Sequence, residues 1–211
     1  MDANDRLGEL PIFELPVVLL PGELMPLHVF EDRYKRMIGH CLEAEVPFGI
    51  VFRDDDGSAR RVGCTARVTE VLERFDDGRL DVVVTGEEPF RVLDRYEAGD
   101  YPVGDVETVG AGDAAGDDRE AAEATREAFA ELVQRVSGSE PETDELASSD
   151  AYAIAARVEL PPETKQRLLE LRSEDERMRT LGAALDTLNE TLSRSREIAE
   201  SAKMNGKVVF G

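Results

Sequence analysis

The sequence changes character at residues 110–116, where a run of glycine, alanine and aspartate separates two segments of different hydrophobic periodicity. Before this run, short apolar stretches alternate with Gly, Pro and Asp turn signals, which is typical of β-structure. After it, apolar residues recur every three or four positions, which is typical of amphipathic helices. We therefore predict a β-rich subdomain over residues 1–112 and a helical subdomain over residues 113–211.

A hairpin is the clearest prediction in the first half. An Asp-Asp-Gly sequence at residues 76–78 joins two β-branched segments, and this chemistry favours a tight turn between antiparallel strands. The strands of this hairpin are predicted at residues 62–75 and 79–85. Further strands are predicted at residues 11–13, 17–20, 48–52, 90–96 and 101–109. Apolar residues at helical spacing predict one short helix at residues 30–44.

The second half is predicted to contain helices at residues 117–136, 146–158, 162–171 and 174–201. The last helix carries an apolar seam with alternating spacings of three and four residues: Met178, Leu181, Leu185, Leu188 and Leu192. A seam of this period either packs against the other helices of the chain or mediates self-association with a second copy. Both interpretations remain open from the sequence.

The net charge restricts the classes of ligand. Lys and Arg total 25 and Asp and Glu total 46, which gives a net charge of −21. This excess repels phosphates, so we expect neither nucleic acid nor an anionic membrane surface as the principal partner. No apolar stretch reaches the roughly 18 residues of a membrane-spanning helix, and the N-terminus lacks the pattern of a signal peptide. We therefore expect a cytoplasmic protein.

The basic residues are themselves unevenly chosen, since 21 are Arg and only 4 are Lys. A GC-rich genome explains this bias through codon usage. A cytoplasm of high salt concentration explains it together with the acidic surface, because salt screens the repulsion among carboxylates. Only the second interpretation predicts that the protein becomes more stable as the salt concentration rises.

Motifs of known catalytic sites are not found in the sequence. The one Gly-Lys pair, at residues 206–207, is followed by Val and does not form a phosphate-binding loop. Neither a G-x-S-x-G nor an H-E-x-x-H sequence occurs. His40, Cys41 and Cys64 lack metal-ligand spacing, and His28 is interpreted as a half-buried structural residue. The sequence therefore predicts no catalytic residue, no metal and no cofactor.

Several ordered motifs in the first half carry a family resemblance. They are LPIFEL at residues 10–15, LLPGE at 19–23, MPLHVFEDRY at 25–34, FGIV at 48–51, VGC at 62–64 and GEEPFRV at 86–92. In the helical half, KQRLLE at 165–170 and ERM at 176–178 belong to the same series. Together they resemble the N-terminal domain of Lon proteases, a substrate-recognition domain that also occurs as a stand-alone protein. This chain departs from the family pattern at Val29, Asp32 and Pro89, the last of which replaces an Arg.

The resemblance implies an α+β fold: an N-terminal PUA-like β-barrel with a short helix, followed by a C-terminal α-helical bundle ending in a long helix. Full-length Lon proteases add an ATPase module and a serine–lysine protease domain, and no motif of either is found here. A peptidase label would therefore be inherited from the family. The resemblance implies a non-catalytic module that binds exposed hydrophobic or unfolded polypeptide.

The candidate contacts for such a polypeptide are the apolar and polar residues near the MPLHVFEDRY motif: Leu24, Met25, Phe30, Arg33, Tyr34 and Met37. Packing in the protein core is the alternative interpretation of the same side chains. A second hypothesis is an adaptor or oligomerisation subunit that acts through the long C-terminal helix and its seam.

Overall fold

The computed structural model describes residues 6–109, 118–139, 141 and 143–205. The first half contains β1 (Arg6–Leu15), β2 (Leu24–Val29), α1 (Asp32–Ala44), β3 (Phe48–Arg53), β4 (Ala59–Arg74), β5 (Leu80–Ala98) and β6 (Tyr101–Thr108). The second half contains α2 (Arg119–Ser137), α3 (Thr143–Ser148), α4 (Ala151–Ala155), α5 (Pro162–Glu170) and α6 (Glu174–Asn205). The predicted subdomain boundary at residue 112 lies outside the described residues.

Five of the strands close into a barrel. β1 pairs in parallel with β3 and antiparallel with β6, while β4 pairs with both β3 and β5. Antiparallel pairing between β5 and β6 completes the ring. β2 lies outside the ring, where it pairs antiparallel with the first part of β5. The predicted order of a β-barrel with one short helix, followed by helices ending in a long one, is confirmed.

The barrel interior is filled around one aromatic ring. Phe90 is fully buried and packs with Leu10, Ile12, Val51, Val92 and Val106. A Cβ added to Gly49 would lie 2.5 Å from Cζ of Phe90, and one added to Gly63 would lie 2.3 Å from the carbonyl oxygen of Ile50. Both positions therefore require glycine, because the ring and the neighbouring strand already occupy the space.

The predicted hairpin is confirmed. The Phe75 amide donates to the Arg79 carbonyl at 3.0 Å, and Gly78 adopts a left-handed φ of 83° that glycine reaches without strain. The two strands predicted at residues 79–85 and 90–96 are one strand, β5, of 19 residues. Its first part pairs with β2 and β4, and its last part pairs with β6. One strand thus belongs to both the barrel and the sheet outside it.

The strand prediction for residues 17–20 is wrong. This segment is irregular, is buried from Val18 to Leu20, and crosses directly over β5 at Gly86. A Cβ on Gly86 would lie 2.1 Å from the Leu20 carbonyl oxygen, so only glycine permits this crossing. The Gly22 amide donates to the Gly86 carbonyl at 2.8 Å, and the Gly86 amide donates to the Glu23 carbonyl at 3.0 Å. These bonds fix the point where β2 begins.

Helix α6 packs along α2 through its apolar seam. Met178, Leu181 and Leu185 are buried in the core of the chain, whereas Leu188 and Leu192 are half-buried. The structure therefore supports intramolecular packing for the first part of the seam. The helix predicted at residues 146–158 is instead two short helices, α3 and α4, since Asp150 caps α4 by accepting from the Ala153 amide at 2.8 Å.

The two halves share one hydrophobic core, in which barrel residues such as Leu20 and Phe48 join helical residues such as Leu168 and Leu181. An ion pair between Lys165 of α5 and Glu23, 2.5 Å apart and largely buried, adds a polar link next to β2. The strand outside the barrel is therefore held in place from both halves of the molecule.

Candidate functional site

The surface around β2 carries apolar side chains that point into solvent. Residues on one side of the strand are half-buried or buried against the core, namely Met25, Leu27 and Val29. Residues on the other side are exposed, namely Leu24, Pro26 and His28. This alternation follows from the two-residue period of a strand. We define the β2 face as Leu24, Pro26, His28 and Phe30, together with Val83 and Phe75 beside them.

β2 is an edge strand, since β5 is its sole pairing strand among the described residues. Pro26 lies opposite Val83, whose carbonyl accepts from Thr69 Oγ1 on the β4 side and so faces away from β2. The backbone of position 26 therefore faces outward, where the missing N–H of proline costs the sheet no hydrogen bond. By alternation, the amides of Leu24 and His28 also face outward and are open to pairing.

The aromatic end of the β2 face is strongly exposed. Phe30 is 61% exposed, and at the other end of the face Leu24 is 65% exposed. The His28 ring lies between Phe30 and Phe75, with both ring centroids at 6.0 Å. From Leu24 to Phe30 the face spans about 20 Å of extended chain. The face is thus a contiguous apolar and aromatic strip rather than isolated side chains.

Polar groups within the strip and beside it are paired with one another. His28 Nδ1 lies 2.5 Å from Asp81 Oδ1, and Arg79 Nε lies 2.8 Å from Asp77 Oδ2. The amide of Arg79, followed by its guanidinium, holds the pKa of Asp77 below its usual range. The Arg79 guanidinium also lies 4.8 Å from the Phe75 ring centroid. These pairings satisfy the polar groups of the face, and Leu24, Pro26 and Phe30 remain for apolar contact.

The six residues predicted as contacts divide into three groups. Leu24 and Phe30 are exposed on the β2 face, and Met25 is half-buried beneath it. Tyr34 is 2% exposed and Met37 is 0% exposed, because α1 turns both toward the core, so neither reaches a ligand at the surface. Arg33 pairs with Glu31 at 3.0 Å and lies over the Tyr34 ring, so it ties the start of α1 in place.

Sequence reasoning missed Pro26 and Val83 as members of the face and interpreted His28 as structural. The available signal was an apolar residue at every second position, Met25, Leu27 and Val29, but Pro26 among them argues against a strand interior. Phe75 was missed because its position depends on the hairpin. Tertiary pairing, rather than local pattern, brings these residues together.

The cysteines do not offer nucleophilic thiolates. Both are free and buried, and burial raises the pKa of Cys41 to about 11 and the pKa of Cys64 further. Within the described part of the chain, no group of three or more His, Cys, Asp or Glu side chains is arranged to hold a metal ion. In the same part of the chain, no helix combines the length and apolar character needed to cross a membrane.

Comparisons with known proteins agree with this architecture. The family model of the ATP-dependent protease La (LON) substrate-binding domain matches residues 9–187. Lon protease of Anaeromyxobacter dehalogenans is 29% identical over 96% of the chain, and Lon protease of Roseiflexus castenholzii is 28% identical over 94%. The chain spans only 26% of the length of either protein. The match is thus to a part of these proteases.

Solved structures show the same fold. A Lon N-terminal domain protein from Xanthomonas campestris superposes with a TM-score of 0.62 at 23% identity, covering 84% of this chain and 98% of that one. The N-terminal domain of Mycobacterium avium complex Lon protease superposes with a TM-score of 0.69 at 20% identity and the same coverage.

Proposed function

Because the chain belongs to the LON substrate-binding domain family, we propose that it binds exposed hydrophobic segments of unfolded polypeptide at the β2 face, without catalysing their cleavage. The observation that carries the proposal is the coincidence of an open strand edge on β2 with an exposed apolar strip that runs along this strand to Phe30. An unfolded chain offers both complements, since it has unpaired backbone groups and exposed apolar side chains.

Strand addition explains how such a surface binds without reading a strict sequence. The outward amides of Leu24 and His28, with the carbonyls of the same strand, pair with the backbone of an extended segment. Side chains of that segment then contact Leu24 and Phe30 at the two ends of the strip. Pro26 removes one donor from the middle of the edge, which limits uncontrolled pairing between copies of the protein.

The test is a binding titration with a matched pair of double variants. The probe is fluorescein-labelled lactalbumin, reduced and carboxyamidomethylated so that it stays unfolded, and binding is measured by fluorescence anisotropy without ATP. The variant Leu24→Ser with Phe30→Ser removes the exposed apolar ends of the β2 face. The control, Leu93→Ser with Ile198→Ser, removes exposed apolar side chains that lie in neither the β2 face nor a groove, and they are 36% and 69% exposed.

We expect the β2-face variant to bind roughly tenfold more weakly or worse, because it loses the two most exposed apolar contacts of the face. The control variant should bind like the wild-type chain. Equal affinities of the two double variants would contradict the proposed site. Anisotropy that falls with time would show cleavage of the probe and would contradict the non-catalytic part of the proposal.

One observation supports the alternative function, an adaptor that acts through its C-terminal helix. The half-buried Leu188 and Leu192 line an apolar groove of about 510 Å³ with Phe129, Val133 and Val136, which we call the helical groove. Leu192→Asp tests it without disturbing the buried part of the seam. If the chain acts through this groove, the variant should no longer bind its partner or a second copy of the chain. The molar mass of the particles, measured by light scattering after size-exclusion chromatography, would then fall. An unchanged mass distribution would count against self-association.

A further inference from the structure

A second groove lies at the mouth of the barrel and shares no residue with the β2 face. It has a volume of about 720 Å³, within the range of roughly 300–1,000 Å³ that ligand sites occupy. Its apolar lining comes from β1 and from the turn before β3, namely Leu7, Leu10, Pro11, Val46 and Pro47. Leu7 is 45% exposed and Val46 is 37% exposed. We call this surface the barrel-mouth groove.

Strand β1 presents an open edge to the barrel-mouth groove. Residues 12–15 of β1 pair with β3, whereas residues 6–11 pair with β6 on the other side only, as far as the described residues show. Because β3 begins at Phe48, its pairing with β1 ends at Ile12, and Val46 and Pro47 form part of the groove wall instead of continuing the strand. An extended segment bound in the groove would take the place of this missing strand.

The opposite wall is a β-bulge that displays carboxylates. Ala66 pairs with Gly86 and Cys64 pairs with Pro89, so Glu87 and Glu88 are extra residues opposite Thr65. The Thr65 hydroxyl donates to the Glu88 carbonyl at 3.2 Å and accepts from the Glu88 amide at 3.0 Å. This pair of bonds satisfies the bulge internally and holds it at the rim. Bulges commonly re-aim side chains in this way.

The lining of the barrel-mouth groove includes three carboxylates, those of Glu9, Glu87 and Glu88, and no Lys or Arg. Arg67, outside the groove, pairs with Glu87 at 2.8 Å, and the Tyr96 hydroxyl bonds to Glu9, which raises the pKa of Tyr96 to about 12. Glu88 adds a further negative charge at the rim. A bound cation is therefore favoured, and an acidic ligand is repelled.

We infer that the barrel-mouth groove binds an extended polypeptide segment in which Lys or Arg alternates with β-branched apolar residues. The apolar side chains contact Leu7, Leu10 and Val46, the backbone pairs with the open edge of β1, and the cations lie against Glu88, beside the Arg67–Glu87 pair. The groove thereby distinguishes a basic segment from an acidic one, which apolar contact alone does not do. Because the barrel-mouth groove is a separate surface, binding there can be tested independently of binding at the β2 face.

The test uses synthetic decapeptides labelled with fluorescein and followed by anisotropy. One alternates Val with Lys, a second alternates Val with Glu, and a third repeats the first with every second amide N-methylated. Val46→Arg fills the groove and Glu88→Lys reverses its charge. Their matched controls are Ile198→Arg on α6 and Glu97→Lys on β5, both exposed and neither in the groove lining. Circular dichroism and thermal unfolding verify that each variant is folded.

We expect saturable binding of the Val/Lys peptide, weakened about fivefold or more by Val46→Arg and by Glu88→Lys and reduced by added KCl. The control variants and the β2-face double variant should bind this peptide like the wild type. Equal binding of the Val/Glu or N-methylated peptide would overturn the inference, as would equal losses in the controls. Loss in the β2-face variant instead of Val46→Arg would assign the peptide to the β2 face.

A second copy of the chain is the competing occupant, since residues 207–210 read KVVF and combine a cation with apolar residues. These residues lie outside the described part of the chain. If the wild type is a dimer that becomes a monomer on removal of residues 207–211, the assignment of the groove to a separate polypeptide is wrong.

Discussion

Thr65 offers a sharp test of how the barrel-mouth groove is built. Its side chain is 6% exposed and makes two hydrogen bonds to the backbone of Glu88. Thr65→Val keeps the shape and removes both bonds, at a cost of about 0.5–1.5 kcal/mol each, or about 1–3 kcal/mol in total. Thr65→Ser keeps both bonds and loses one buried methyl group, which costs about 0.8 kcal/mol.

Urea unfolding at a fixed KCl concentration measures the unfolding free energies of the two variants without changing the ionic strength. For a chain of this size a loss of about 2 kcal/mol corresponds to about 4–8 °C in melting temperature. We expect the order of stability to be wild type, then Thr65→Ser, then Thr65→Val. Hydrogen exchange of the Glu88 amide should stay slow in the Ser variant and become fast in the Val variant. If packing rather than hydrogen bonding holds the bulge, Thr65→Val will be as stable as the wild type and Thr65→Ser will be the least stable of the three. That result would refute the reasoning.

Three further predictions concern the fold and its electrostatics. Gly49→Ala should cost about 1–3 kcal/mol of unfolding free energy, because the new Cβ would lie 2.5 Å from Cζ of Phe90. Gly39→Ala, its control within α1, meets nothing within 4 Å and should stabilise the chain by up to about 1 kcal/mol; similar urea midpoints for the two variants would contradict this account. The melting temperature should rise between about 0.1 M and multimolar KCl, as salt screens the repulsion behind a net charge of −21, and an unchanged value would leave codon usage as the explanation of the Arg bias. The Asp77 carboxylate, whose pKa is lowered by the Arg79 amide, should contribute stability that is complete above its ordinary pKa of 3.8 and is lost as the pH falls through the lowered value. The stability of Asp77→Asn should therefore depend less on pH below about pH 4, and a curve parallel to the wild type would show that the pair contributes nothing.

Local sequence patterns predicted those elements whose conformation depends on residues that are close in sequence. The Asp-Asp-Gly turn predicts the β4–β5 hairpin because its φ requirement is met by Gly78 within the turn. Apolar spacing likewise predicts α1, which begins at Asp32 and ends at Ala44. In both cases the structure is decided within about ten residues, and a pattern over that length identifies it.

Other features depended on contacts between distant residues and were not predictable. Residues 17–20 have strand composition, but their backbone crosses β5 at Gly86 instead of pairing with it. β2 was missed because Pro26 argues against a strand, and only an edge position tolerates it. The open edge of β1 follows from the residue at which β3 begins, which no local pattern of β1 contains. Open strand edges and the grooves beside them depend on the register in which strands pair, and that register is determined by the whole sheet.

The central claim is that unfolded polypeptide binds at the β2 face, and amide hydrogen exchange of the full chain tests it most directly. Exchange is measured with and without saturating reduced, carboxyamidomethylated lactalbumin. The account predicts that the outward amides of Leu24 and His28 exchange freely in the unbound chain and become protected in the complex. Protection confined to the helical groove, or unchanged exchange across residues 24–30 under saturating conditions, would contradict it.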